Sequence, residues 1–225
     1  MSAAKNPAPA PAPPPPDAVV LVHGLWTGPW AMAWLGRQLA ARGLRVHRFG
    51  YPSVREALGG NADALARFAA GIEAPRLHWV GHSLGGILIL RALLAGQGPA
   101  TGRVVMLGSP LAGSAAATRM DRLAVGRAML GRSLRDWLAR PHREWPLPHD
   151  LGIIAGTGGV GLGRLVSPGL PQPNDGAVSV EETRLPVARE HLVLPVSHSG
   201  MLLSGRVARH AARFLLTGSF GAGEP

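Results

Sequence analysis

The chain has 225 residues, 46% of them hydrophobic and 16% charged, enough for one domain with a full α/β core. It contains no cysteine, which excludes a disulfide framework and thiolate metal sites, and no apolar run approaches the ~18 residues of a membrane span. Of its 23 basic residues Lys5 is the one lysine, and the formal charge is +10; the arginines are scattered rather than gathered on one helix face among aromatics, so nucleic-acid binding is not expected, although association with an anionic lipid surface is compatible with this charge.

Residues 1–16, MSAAKNPAPAPAPPPP, form an Ala/Pro tract that favours extended polyproline backbone, buries little and reads as a disordered tail. It lacks the apolar segment of a secretory signal, and a cytoplasmic location is the expectation. Residues 17–220 read as one domain, and 221–225 as a short disordered tail. Within the domain, strands are expected at Ala18–Val22, Leu44–Phe49, Leu77–Val80, Arg103–Leu107, Leu151–Ala155 and Val193–Val196. Helices are expected from Pro29 to about Ala41, over Asn61–Ile72 with Asn61 as N-cap, over Leu84–Leu94, and over about Arg206–Leu216. Continuous apolar strands alternating with helices indicate a mostly parallel central sheet covered on both faces, an α/β fold. The stretch 111–149 fits poorly, with a long helix-like run at Ala112–Ala139 and then Pro141, Pro146 and Pro148; it reads as a small helical cap over the carboxyl edge of the sheet.

Gly81-His82-Ser83-Leu84-Gly85 matches G-x-S-x-G between an expected strand and an expected helix. That context makes Ser83 a nucleophile held on a strained strand-to-helix turn, with the helix N-terminus beneath it to favour developing negative charge. Acyl transfer also needs two backbone N–H groups for the oxyanion. Leu84, just after the serine, and Leu25, after the first strand, are placed to supply them. Gly24 lets the earlier loop come close, and His23 reads as loop support rather than as a base. Trp26 and His82 are candidates for the pocket, and Trp26 reads equally well as an aromatic packed on the core.

Serine needs a base, and the base an orienting acid; in this type of enzyme they come in the order serine, acid, histidine. His198, just past the last strand, stands at the same sheet edge as Ser83. His47 and His78 fall inside strands, His210 inside a helix, His142 and His149 in the cap, and His191 before the last strand. Asp175, in Asn174-Asp175-Gly176, is the leading acid, although the tripeptide is also turn chemistry. Asp121 competes with it, Glu181 more weakly, and Asp150 stands at the wrong edge. The run Gly156-Thr157-Gly158-Gly159-Val160-Gly161 fits a dinucleotide fingerprint in spelling only. It leads into a Gly- and Pro-broken loop instead of a helix, and a loop edging the pocket is the better reading.

Five segments in this order resemble the α/β-hydrolase superfamily, particularly its small bacterial lipase- and esterase-like members. They are Val20–Trp26, Gly81–Gly86, Val104–Pro110 with Gly113-Ser114, Asn174–Val180 and Leu194–His198. The resemblance spans roughly 17–220. It implies an eight-stranded, largely parallel sheet, a Ser83–His198–Asp175 triad, no cofactor or metal, and hydrolysis of a small-molecule carboxylic ester through an acyl-enzyme. Acyltransfer, or amide or thioester cleavage on the same triad, is the alternative, and a non-catalytic binder with this fold a more distant one. The stretch between Pro110 and Asp150 is short for a lipase lid, which counts against long-chain lipid substrates, and no acidic cluster suits a structural calcium. The oligomeric state is not legible in the sequence.

Overall fold

The apolar runs form six parallel strands in the order β2-β1-β3-β4-β5-β6. They are β1 (Ala18–Val22), β2 (Arg45–Phe49), β3 (Leu77–His82), β4 (Val104–Leu107), β5 (Leu151–Gly156) and β6 (Glu190–Leu194). The structure is a computed structural model that describes residues 15–96, 102–139, 145–159 and 170–221. Among these residues the sheet has six strands, where the resemblance implied eight. The expected disordered tails lie outside the described residues apart from Pro15, Pro16 and Gly221, as do His142 and the loop from Val160 to Gly169.

Side chains alternate across each strand, so one sheet feeds two cores. Val20, Val22, Trp79, Met106 and Ile153 face α2 (Leu58–Ala70) and α3 (Leu84–Leu94). Val19, Leu21, Val80, Leu107 and Ile154 face α1 (Ala33–Ala40) and α7 (Gly205–Thr217), whose Val207, Ala211, Phe214 and Leu215 complete that layer. Helix α3 is apolar nearly all round and buried nearly all round, which fits an element packed between the sheet and α2. Because β1 pairs with β2 on one side and β3 on the other, the chain reverses its direction of winding there. The crevice outside the carboxyl ends of β1 and β3 is where ligands bind in open α/β sheets.

Three sequence expectations need correction. Asn61 is not an N-cap: α2 starts at Leu58, whose N–H donates to Asp136, and Asn61 is buried in the helix with its amide donating to Ser133. The run 112–139 is not one helix but α4 (Ala115–Met120) and α5 (Ala124–Ala139), and α5 itself breaks at Gly131. Gly131 has φ 68° because its backbone lies against that of Val54, and the next N–H, that of Arg132, donates to the Val54 carbonyl. Finally, β6 lies three residues earlier at its start than expected and includes His191, which hydrogen-bonds Thr183 of α6 (Val180–Thr183).

Candidate active site

Since all six strands run the same way, each of their carboxyl ends delivers a loop to one edge of the sheet. Ser83 sits between β3 and α3 with φ 54° and ψ −122°, a conformation costly for a residue with a side chain. Its N–H donates to the Leu107 carbonyl at 2.9 Å, which ties the turn to β4. The turn also needs its glycines. A Cβ on Gly85 would collide with the carbonyls of Val22 and His23, so the helix could not approach β1. Leu84 is the first residue of α3, and helix geometry leaves its N–H without an intrahelical partner.

The loop after β1 is held by His23. Its Nδ1–H donates to the Gly24 carbonyl (2.8 Å), its Nε2 accepts from Tyr51 N–H (3.4 Å), and its ring stacks on Tyr51 at 4.4 Å. Gly24 is pressed against the elbow: a Cβ there would stand 3.1 Å from both Ser83 Cβ and His82 Nδ1. Leu25 comes next, half-buried. Trp26 is more than half exposed and strained at φ 59°. Its indole N–H donates to the Met129 carbonyl of α5 (2.8 Å), so its side chain reaches from this loop to that helix.

Asp175 and His198 meet at the same edge. His198 Nδ1 lies 2.7 Å from Asp175 Oδ2, and the His198 N–H donates to the Asp175 carbonyl at 2.9 Å. Asp175 is 1% exposed and forms a tight turn as well, its Oδ1 accepting from Ala177 N–H (2.9 Å) and Val178 N–H (2.8 Å). Turn chemistry and histidine pairing thus divide between its two oxygens. The turn is braced by α6, where Ser179 and Glu182 form a capping box. Asp121 instead pairs with Arg135, Glu181 with Arg184, and Asp150 with Arg103 and Arg189.

Gly108, in the loop after β4, carries a role the sequence did not reveal. Its φ is 56°, and a Cβ would stand 3.0 Å from Asp175 Oδ2 and 3.2 Å from His198 Nδ1. The Asp175–His198 pair therefore rests on bare backbone. A glycine directly after a strand at the edge that carries Ser83 was the available signal. Gly108→Ala is expected to separate the pair and lower kcat by about 10²-fold, since misplacement of order 1 Å costs that much. Steady-state kinetics with the variant's melting curve alongside checks it, and a variant of unchanged kcat would contradict it.

The remaining glycine run is explained by packing. A Cβ on Gly156 would collide with the Val196 carbonyl and stand 2.8 Å from Asp175 Cβ, and one on Gly159 would stand 2.9 Å from Asn174 Oδ1. The described part of the run clears space for the Asp175 turn and for the loop that leads to His198.

Several buried histidines are held neutral. Burial pushes His78 down to about 4 and His82 to about 3, and also depresses His23. In the unfolded chain these groups bind protons near pH 6.5, so below that pH the unfolded state takes up protons that the folded state refuses. Their stabilising share is complete above about pH 6.5 and is lost as the pH falls toward 4 and below. The urea midpoint, tracked by tryptophan fluorescence, should therefore drop between pH 7 and pH 5; a constant midpoint would contradict this. Among the described residues no three His, Asp or Glu side chains group closely enough to hold a metal ion, and no helix is long and apolar enough to cross a membrane.

The parallel sheet covered by helices on both faces, with the strained serine and the His–Asp pair at its carboxyl edge, is a fold that known proteins share. The model of the Alpha/beta hydrolase family fits residues 19–208, and the chain belongs to that family. Among curated proteins no match is found. The solved structures similar to it include the mature form of Bacillus licheniformis lipase BlEst2, at 20% identity over 88% of this chain and 90% of that one, TM-score 0.66. The metagenomic carboxyl esterase MGS0156 is 19% identical over 86% of this chain and 68% of that one, TM-score 0.64. The RedJ thioesterase from the prodiginine pathway of Streptomyces coelicolor is 16% identical over 92% of this chain and 91% of that one, TM-score 0.59. At these identities the likeness is one of fold.

Proposed function

We propose that this chain hydrolyses small carboxylic esters through an acyl-enzyme, with Ser83 as nucleophile, His198 as base and Asp175 as the orienting acid. The observation that carries this reading is the 2.7 Å contact of His198 Nδ1 with Asp175 Oδ2 at the edge that presents strained Ser83. A carboxylate only accepts, so Nδ1 carries the hydrogen and Nε2 is left as the acceptor for the Ser83 proton. Ser83 Oγ attacks the ester carbonyl as His198 takes that proton, and the Leu25 and Leu84 N–H groups receive the oxyanion. Collapse breaks the carbon–oxygen bond to the alcohol, which leaves with the proton from His198. Water then gives its proton to His198 and attacks the acyl carbon, releasing the acid and restoring Ser83.

The lipase and carboxyl esterase among the similar structures support ester substrates, and the thioesterase supports thioesters as a second class on the same acyl-enzyme. Short acyl chains fit best, because the cap is small and α5 is pinned at its break to Val54. The test is fluorophosphonate labelling with tryptic mapping, alongside p-nitrophenyl esters from acetate to palmitate and an acyl thioester. Label on the Leu77–Arg91 peptide that contains Ser83, with turnover of the short esters, is expected. Absence of label on that peptide, with no ester turned over, would overturn the reading.

A further inference from the structure

His82 precedes Ser83 and is the last residue of β3, yet its side chain does not stand open to the site. It is 5% exposed, with its ring centroid 4.7 Å from that of His198 at a 49° tilt. Its Nε2 lies 3.0 Å from the His198 main-chain carbonyl. A carbonyl only accepts, so the His82 hydrogen is on Nε2 and Nδ1 holds a bare lone pair. That Nδ1 is buried without a hydrogen-bond partner, beside Gly24. A buried imidazole that forgoes one bond to make the other is held there by the bond it makes.

We propose that His82 is a positioning residue, which locks the main chain of the base to the strand that carries the nucleophile. The proposal rests on Ser83 being the nucleophile and His198 the base. Three bonds fix His198: its N–H to the Asp175 carbonyl, its Nδ1 to Asp175 Oδ2, and its carbonyl from His82. The first two leave the histidine free to move together with Asp175. The His82 bond alone among them refers the base to the Ser83 side of the site, and so sets where Nε2 stands relative to Ser83 Oγ. The residue must also stay uncharged, because a cation there would oppose the imidazolium that forms on His198 during attack. Burial does this, holding His82 down at about 3.

The requirement is for a donor at the position of Nε2, and three substitutions separate that from bulk. Glutamine places its amide N–H₂ near Nε2, asparagine is polar but too short, and methionine fills the space without a donor. His82→Met and His82→Asn are expected to lose about 10²-fold in kcat, with KM little changed, as expected for a base misplaced by about 1 Å. His82→Gln should stay within several-fold of the parent. Fluorophosphonate labelling rates should fall in the same order, and the downfield proton resonance of His198 Nδ1–H should be sharp in the parent and in His82→Gln but broadened in the others. If His82→Met does not fold, the comparison of Gln with Asn decides. Variants that all label at the parent's rate, or a Gln variant as impaired as Asn, would overturn the positioning role. A parent chain that never labels at Ser83 overturns the functional reading instead.

Discussion

Replacing Ser83 by glycine is expected to abolish ester hydrolysis and to raise the melting temperature in the same variant. Removing the nucleophile of a triad costs about 10⁶-fold in kcat, and what remains comes from binding and the oxyanion donors. The gain in stability has a separate origin. At φ 54° and ψ −122° the serine Cβ is crowded against its own backbone, a cost of order 1–3 kcal/mol. Glycine removes that cost and restores about 0.5–1 kcal/mol of unfolded-chain entropy to be lost, so the net gain is of order 1 kcal/mol. For a chain of this length that is roughly 2–4 °C in Tm. Ser83→Ala provides the control, since alanine keeps a Cβ in the same conformation and should melt near the parent while being equally inactive. Melting curves of the two variants side by side test the argument. A glycine variant no more stable than the alanine variant would mean that the turn stores no strain.

How far such features can be read from sequence depends on how local their causes are. The strands β1, β3, β4 and β5 are buried on both faces and show as unbroken apolar runs. Edge strand β6 is only half-buried, so Glu190 and His191 are tolerated in it, and the apolar stretch at Val193–Val196 drew the expected strand past its true end. Ser83 was legible because its turn needs glycines at fixed offsets within five residues. Asp175 was less so, because one side chain does two jobs, and only the turn has a local signature. Asn61 misled for the opposite reason: its partner Ser133 lies 72 residues away, and nothing nearby distinguishes a buried helical asparagine from a cap. Gly131 and Gly108 likewise take their backbone conformations from Val54 and from the Asp175–His198 pair, contacts that exist only once the chain has folded. The enclosure of His82 belongs to the same group, since what it binds is a main-chain carbonyl with no sequence identity at all.

The division of labour within Asp175 makes Asp175→Asn the most informative change to the acid. Asparagine is nearly the same shape, so the turn should persist and the fold with it. Its orientation, however, is not free. The position of Oδ1 receives two N–H donors, from Ala177 and Val178, so the amide must keep its oxygen there. Placing the N–H₂ at that position would set donors against donors and leave both backbone groups unpaired. The amide nitrogen is therefore turned toward His198, at the position of the oxygen that lies 2.7 Å from Nδ1 in the parent. A donor facing Nδ1 forces the His198 hydrogen onto Nε2, and an Nε2 that carries a hydrogen cannot take the proton of Ser83. The expected loss in kcat is about 10⁴-fold, the cost of replacing the acid of a serine triad by its amide. Stability should change little, which separates this outcome from the collapse of the turn. The measurement is kcat for a short p-nitrophenyl ester together with the urea midpoint. A variant within tenfold of the parent would transfer the acid's role to another carboxylate, and Asp121, now paired with Arg135, would be the one to replace next.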